Sequence, residues 1–356
     1  MGIFSQDEPK FTIKGAKTAD DLGYVSKRKA LDCNKDLEWY PGSSVVYHKK
    51  SGKPYTGTCV AYYDNRKLER KTNFILGKEN GECFTYYKSG QVKVKSIYIE
   101  GIENGTWGYW YENGQVAWGN TYEMGQKEGE WLFFHENGSP SKTLNYKKNN
   151  LNGKQSYYYD NGHPKKIINY KEGTFNGSYK TYYKDSVLKM SKFFKNGTID
   201  GDELFFHENG QKAFIKHWDE GIEIGRWEYY YENGQLRKLG TWKDGLKDGA
   251  QIIWAGNGLI LSKHRYSKGM LHGEYIDYYK SGQKSIVGNY RFGKKHGTWT
   301  YSYKDGVVAL SGNYRNGDPK GSWFWIRANK SEMVNVDDPD KDWVTKRIRE
   351  WERIYN

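Results

Sequence analysis

The apolar positions of this 356-residue chain are largely aromatic, and they come in short bursts between polar stretches that carry glycine. One kind of burst begins just after a glycine, as in Trp107-Gly108-Tyr109-Trp110-Tyr111, Trp131-Leu132-Phe133-Phe134-His135 and Trp227-Glu228-Tyr229-Tyr230-Tyr231. A second kind ends on an aromatic seventeen residues past that glycine: Phe74, Tyr98, Tyr122, Tyr146, Tyr170, Phe194, Trp218, Trp242, Tyr266, Tyr290 and Tyr314. Runs this short and this aromatic favour extended chain. Between them stand two sets of turn residues. Ser89-Gly90, Asn113-Gly114, Asn137-Gly138, Asn209-Gly210 and Asn233-Gly234 are examples of one set, and Gly77, Gly101, Gly125, Gly173 and Gly197 of the other. Asn-Gly pairs tolerate positive φ and mark tight reversals. Each period therefore predicts two short strands and two turns.

The interval is rigid. The anchoring glycine stands at Gly57, Gly81, Gly105, Gly129, Gly153, Gly177, Gly201, Gly225, Gly249, Gly273, Gly297 and Gly321, each twenty-four positions after the last. Departures are mild: Ser186 replaces one turn glycine and Asn149 another, and Asn accepts positive φ. Equivalent positions in successive repeats stack along a sheet. The predicted fold is all-β, an elongated, twisted, single-layer antiparallel sheet of tandem β-hairpin repeats with a short C-terminal helix. Residues 1–33 read as an N-terminal extension or cap. Residues 34–328 read as the repeat array, opening on a degenerate unit with a Pro-Gly turn in Leu37-Glu38-Trp39-Tyr40-Pro41-Gly42. Residues 329–356 read as an acidic linker and an amphipathic helix. There Trp343, Val344, Ile348, Trp351 and Ile354 recur at helical spacing, with Asp338-Pro339 as the expected N-cap and first-turn pair. Such a helix either covers an open sheet edge or binds a partner.

Composition narrows this picture. Apolar residues make up only 36%, yet aromatics reach 17%, with 32 Tyr and 14 Trp. Disordered chains lack aromatics, while a thick core needs more Leu, Ile and Val than this. The net charge of +13 permits an anionic partner, including lipid headgroups. The stronger reading is that lysines near turns solubilise a sheet and discourage edge pairing. Three cysteines, Cys33, Cys59 and Cys83, describe no disulfide framework. Cys59 and Cys83 share a repeat position two strands apart, about 9.6 Å. That is beyond disulfide reach, so both read as small apolar fillers. The N-terminal residues show no secretory pattern, Gln6 stands where a myristoylation signal needs Ser or Thr, and no apolar run is long enough to span a bilayer. The expected location is a reducing cytoplasm.

No metal, phosphate or nucleophile signature is present, and no cofactor is expected. His135 and His207 occupy one repeat position, where most repeats hold Tyr. Glu112, Glu136, Asp160, Glu208 and Glu232 also recur with the frame. A catalytic constellation breaks symmetry, so the expectation is a protein without enzymatic activity. The remaining candidates are the ladder rings Trp107, Tyr109, Tyr111, Trp131, Phe133, Tyr157, Tyr159, Trp227, Tyr229, Tyr231, Trp299 and Tyr301. The helix residues Trp343, Ile348, Trp351 and Ile354 join them as partner-binding or capping residues. Either curling buries one ring face, or the rings are presented to a partner.

The unit Gly293-Lys294-Lys295-His296-Gly297-Thr298-Trp299-Thr300-Tyr301 resembles the MORN repeat. The fuller unit from Gly225 to Leu236 resembles the MORN-repeat variant, typical of bacterial YwqK-family antitoxin components. The resemblance spans roughly residues 34–328 and implies an antiparallel β-protein that binds another protein, such as a toxin or an assembly partner. The family shares no catalytic residue. The association of MORN repeats with phospholipid, also only implied, would suit the basic charge. Nucleic acid is not an expected partner, and sheet edges or ends would allow a homo-oligomer. Aromatic hairpin repeats of choline- and glucan-binding modules look superficially similar, which makes glycan binding the alternative.

Overall fold

Two consecutive left-handed residues make the tightest turns of this chain, and those turns set its topology. The computed structural model describes residues 30–40, 42–327 and 333–355. Pro41 of the expected Pro-Gly turn and positions 1–29 of the expected extension lie outside the described residues. One compact unit runs to Phe175 and a second begins at Asn176. Both are antiparallel β-hairpins in tandem, and the second ends on the α-helix Lys341–Tyr355.

Within each unit the strands pair in chain order. Gly105–Trp110 pairs with Val116–Glu123, which pairs in turn with Gln126–Phe134. The connection between Val116–Glu123 and Gln126–Phe134 is the two-residue turn Met124-Gly125, with φ of 45° and 77°. The same pair of positive φ values recurs at Leu76-Gly77, Asp244-Gly245, Lys268-Gly269, Phe292-Gly293 and Asn316-Gly317. This is the geometry whose twist matches that of paired strands. At the Asn-Gly turns only the glycine is left-handed, for example Gly114 at φ 86°, and Gly114 N–H donates to the Tyr111 carbonyl at 2.9 Å. The replacements keep the required backbone, with Ser186 at φ 74° and Asn149 at φ 69°.

The anchoring glycines mark bulges. Gly119 opposes Leu132 while Thr121 opposes Glu128, so the register slips around Gly129, which has φ 67°. The same slip recurs around Gly225, Gly249, Gly273, Gly297 and Gly321. A bulge residue in the left-handed region favours glycine, which explains why this position is constant.

Counting from the anchoring glycine as zero, positions 2, 4 and 6 share one face. Position 2 carries the deepest rings: Trp131, Trp227, Trp299 and Trp323 are all buried. The indoles need room on the neighbouring strand. A β-carbon added at Gly288 would come within 2.3 Å of the Trp299 ring, and one at Gly312 within 2.0 Å of the Trp323 ring.

Each unit has a core at its terminal edge. In the first, Cys33, Leu37, Val46, Cys59, Ala61 and Phe74 pack together. Leu31–Asp32 lies parallel on Gly57–Tyr62, and a disulfide joins Cys33 to Cys59. This corrects the reading of the cysteines: Cys59 is a bridge to the capping strand, while Cys83 is a free, buried thiol. Burial pushes that thiol up to about 12, which makes it inert. Leu37–Trp39, Val46–His48 and Lys53–Pro54 form a small sheet of their own. In the second unit, Trp299, Tyr301, Leu310, Trp323 and Trp325 gather with Val344 and Trp351 of the helix.

Gly312 has no left-handed φ, so only the Trp323 ring requires it to be glycine. Gly312→Ala is expected to lower unfolding free energy by about 1–3 kcal/mol. Gly256→Ala, where nothing lies within 4 Å, should be near neutral in the same urea titration.

Candidate functional site

The ladder is built from two repeat positions that interleave. Position 2 of one repeat sits between position 17 of its own repeat and position 17 of the repeat before. Tyr98, Trp107, Tyr122, Trp131 and Tyr146 form an unbroken run with centroid spacings of 5.1, 5.3, 5.2 and 5.1 Å. Trp218, Trp227 and Trp242 repeat it at 5.1 and 4.5 Å. These separations suit tilted and edge-on ring pairs.

Four position-2 indoles also donate backward, whereas the buried Trp323 Nε1 has no hydrogen-bond partner. Trp107, Trp131, Trp227 and Trp299 Nε1 donate to the carbonyls of Ile97, Thr121, His217 and Asn289 at 3.1–3.2 Å. Gln155 and Gln251 hold the same position, and each donates its Nε2 to the equivalent carbonyl, Asn145 and Thr241, at 3.1 Å. Glu203 takes the place in another repeat, buried and paired with Lys192 at 2.9 Å. Position 6 donates forward. The hydroxyls of Tyr63, Tyr87, Tyr111, Tyr183, Tyr231, Tyr279 and Tyr303 each donate to the carbonyl twenty-three positions on, at 2.7–3.0 Å. His207 keeps this contact through Nε2 to Tyr230 O at 3.3 Å. His135 does not: its buried Nε2 has no hydrogen-bond partner.

The ring faces are occupied from within. Lys127 Nζ lies 4.8 Å over Trp131, Lys142 4.2 Å over Phe133, Lys166 4.5 Å over Tyr157 and Lys165 5.6 Å over Tyr159. Lys238 covers Tyr229, and Lys216 covers both Phe214 and Trp227. Tyr109 stacks on Trp118 at 5.8 Å and meets Tyr111 edge-on at 6.4 Å. Cation–π contact holds a lysine stem along each ring. Lys295 goes deepest, with Nζ 4.4 Å from the Trp299 centroid and 2.8 Å from the Tyr301 hydroxyl. Burial lowers its amine to about 8, against the opposing pull of Glu352.

The C-terminal helix packs its apolar stripe inward. Val344 and Trp351 are buried, Trp343 and Ile348 are partly buried against the same core, and Ile354 is exposed. Trp351 Nε1 donates to Ser302 O at 3.1 Å, and its ring meets Tyr301 at 5.4 Å. The N-cap is Asp340, whose carboxylate accepts from Trp343 N–H at 2.7 Å, two residues beyond the expected Asp338. Among the described residues, no three His, Cys, Asp or Glu side chains gather as a metal site.

An apolar surface elsewhere escaped the sequence reading. Ile222, Leu246 and Met270 recur once per period, each just after a second turn, and are 50%, 48% and 47% exposed. Ile222 lies against Gly245 and Leu246 against Gly269, so the row steps from turn to turn. Phe292, at a different repeat position, is also exposed, at 63%, and packs on His272. The signal was the recurrence of three apolar residues, in step with the repeat, beside turns that are otherwise polar.

Five stretches, 79–100, 127–148, 151–172, 223–244 and 295–316, match the MORN repeat variant. The chain carries five MORN-variant repeats. No curated protein matches it. Among solved structures it is similar to TcdB2-TccC3-Cdc42 (9% identity, TM-score 0.18, 84% of this chain and 19% of that one). Choline binding protein F from Streptococcus pneumoniae matches at 13% identity and TM-score 0.20, over 77% of this chain and 100% of that one. The Tc holotoxin pore of Photorhabdus luminescens matches at 10% identity and TM-score 0.16, over 86% and 20%. The chain spans about a fifth of the length of the TcdB2-TccC3-Cdc42 and Tc holotoxin pore chains it matches. Among the described residues, no helix is long and apolar enough to cross a membrane.

The Lys295 amine gives a pH signature. Its folded pKa of about 8 lies below the ordinary 10.5, so between these values the unfolded chain binds more protons. Stability therefore rises with pH across this window. The gap in unfolding free energy between wild type and Lys295→Met is expected to shift in favour of wild type from pH 8 to pH 10, as read by urea titration. A gap that does not change with pH would contradict a buried, depressed amine.

Proposed function

We propose that this chain is a non-enzymatic scaffold that binds a protein partner along the turn edge formed by Ile222, Leu246 and Met270. The observation that carries this reading is the row itself: three half-exposed aliphatic side chains at one position of consecutive repeats. Exposed apolar surface in a contiguous row is costly in water and marks interaction sites. The ladder rings support the reading in a different way. Their faces are filled by lysine stems and neighbouring rings, so they hold the edge rigid and at a constant spacing. Of the two histidines that share a repeat position, His207 is engaged in the frame's own contact with Tyr230 O.

A toxin-neutralising role of the YwqK type is one specific form of this reading, with the toxin as the partner on the edge. A cytoplasmic location loses its cysteine argument, because the Cys33–Cys59 bridge is of the kind that persists in oxidising compartments.

Affinity capture from the source cells tests the proposal. The full chain is expected to retain a protein partner, and a triple variant, Ile222→Glu, Leu246→Glu and Met270→Glu, to lose it by about tenfold or more with an unchanged thermal melt. Equal recovery of the same partner by the folded triple variant would defeat the edge assignment.

A further inference from the structure

The repeats carry an internal record of what occupies the space beside position 6. In three repeats position 12 is lysine, and its ammonium lies over the position-6 ring of the same repeat. Lys93 sits 5.4 Å from Tyr87, Lys165 5.6 Å from Tyr159 and Lys189 5.0 Å from Tyr183. In the repeat anchored on Gly201 the equivalent residue is Ala213, which is buried and has no cation to place there. A cavity of about 520 Å³ opens at this point, lined by Phe205, His207, Phe214, Tyr230 and Tyr231, with Ala213 as part of its wall. Phe205 and Phe214 stack at 5.3 Å, and Tyr231 is pinned by its hydroxyl to Trp254 O at 2.8 Å, so the aromatic wall is fixed before any ligand arrives. The exposed residues Glu232 and Arg237 also line the cavity.

We propose that this cavity binds an alkylammonium group, in the place that lysine fills in the sister repeats. The ring faces present negative quadrupole to a cation, and quaternary ammonium suits them because it is weakly hydrated and fills an aromatic box by shape. Glu232 supplies the compensating charge. Arg237 opposes a cation and would favour an anion, so its removal separates the two. Ala309, at the same position in another repeat, offers no such space, because it is wholly buried in the core that contains Trp325 and Trp351.

Calorimetric titration of the full chain with tetramethylammonium at pH 8 tests this, with tert-butanol as the uncharged control. Binding is expected with Kd on the order of 1 mM, and none for the alcohol. Ala213→Lys restores the sister-repeat lysine and should weaken binding about tenfold or more without changing the melt. Glu232→Gln should weaken it, and Arg237→Gln should tighten it. The proposal is overturned by no heat up to about 100 mM tetramethylammonium, by wild-type affinity in folded Ala213→Lys, or by weaker binding in Arg237→Gln. If Ala213→Lys does not fold, the two exposed positions decide alone. A free cation and a lipid headgroup share this chemistry. Co-sedimentation with phosphatidylcholine vesicles, lost in Glu232→Gln, assigns the lipid source, and tetramethylammonium binding without co-sedimentation assigns the free cation.

Discussion

A tyrosine hydroxyl that reaches forward to a backbone carbonyl of the next repeat is the contact on which this array depends. A lone hairpin is marginal in water, and a chain poor in Leu, Ile and Val cannot add a thick core to stabilise it. Within each unit, the forward bond from position 6 and the backward bond from position 2 tie hairpins to their neighbours. Both use rings, so the same side chains that make the bonds supply the buried apolar area. A bond of this kind contributes about 1 kcal/mol net, and it recurs at nearly every repeat. Stability then accumulates along the chain as nearest-neighbour terms. The constant period follows, because one inserted residue would move the hydroxyl off its carbonyl and turn the ring to the other face.

Substitutions at these positions show which property is retained. Gln155 and Gln251 abandon the ring but keep the donor. His207 keeps a ring and a polar contact. Glu203 keeps neither, and Lys192 and Lys216 approach its carboxylate from either side. Lysine is the other recurrent partner. It covers ring faces that a single layer of strands leaves open, keeps its charge near solvent and so accounts for much of the basic composition. Where that lysine is missing beside a preformed ring box, as at Ala213, space for a cation remains.

Much of this was legible in the sequence because the period repeats local chemistry. Glycines and aromatics at fixed offsets specify strands, turns and faces. The helix was legible from the spacing of Trp343, Val344, Ile348 and Trp351, though its cap falls on Asp340. What escaped lies where the frame is silent. Cys33 precedes the first anchoring glycine, so no repeat position pointed to its pairing with Cys59. The ring faces were legible as aromatic but not as occupied, because the lysines that cover them come from different positions along the strands. Ile222, Leu246 and Met270 were obscured because residues flanking a turn are ordinarily polar, and their exposure follows only from the two-residue turn that holds them outward.

The position-6 bond couples neighbouring repeats. Ala255 occupies position 6 without a hydroxyl, and the carbonyl of Tyr278 stands at the place in the next repeat where a tyrosine would reach it. Urea unfolding of Ala255→Tyr against Ala255→Phe measures the bond apart from the ring. The tyrosine variant is expected to be more stable than the phenylalanine variant by about 1 kcal/mol. Equal stability of the two would contradict it.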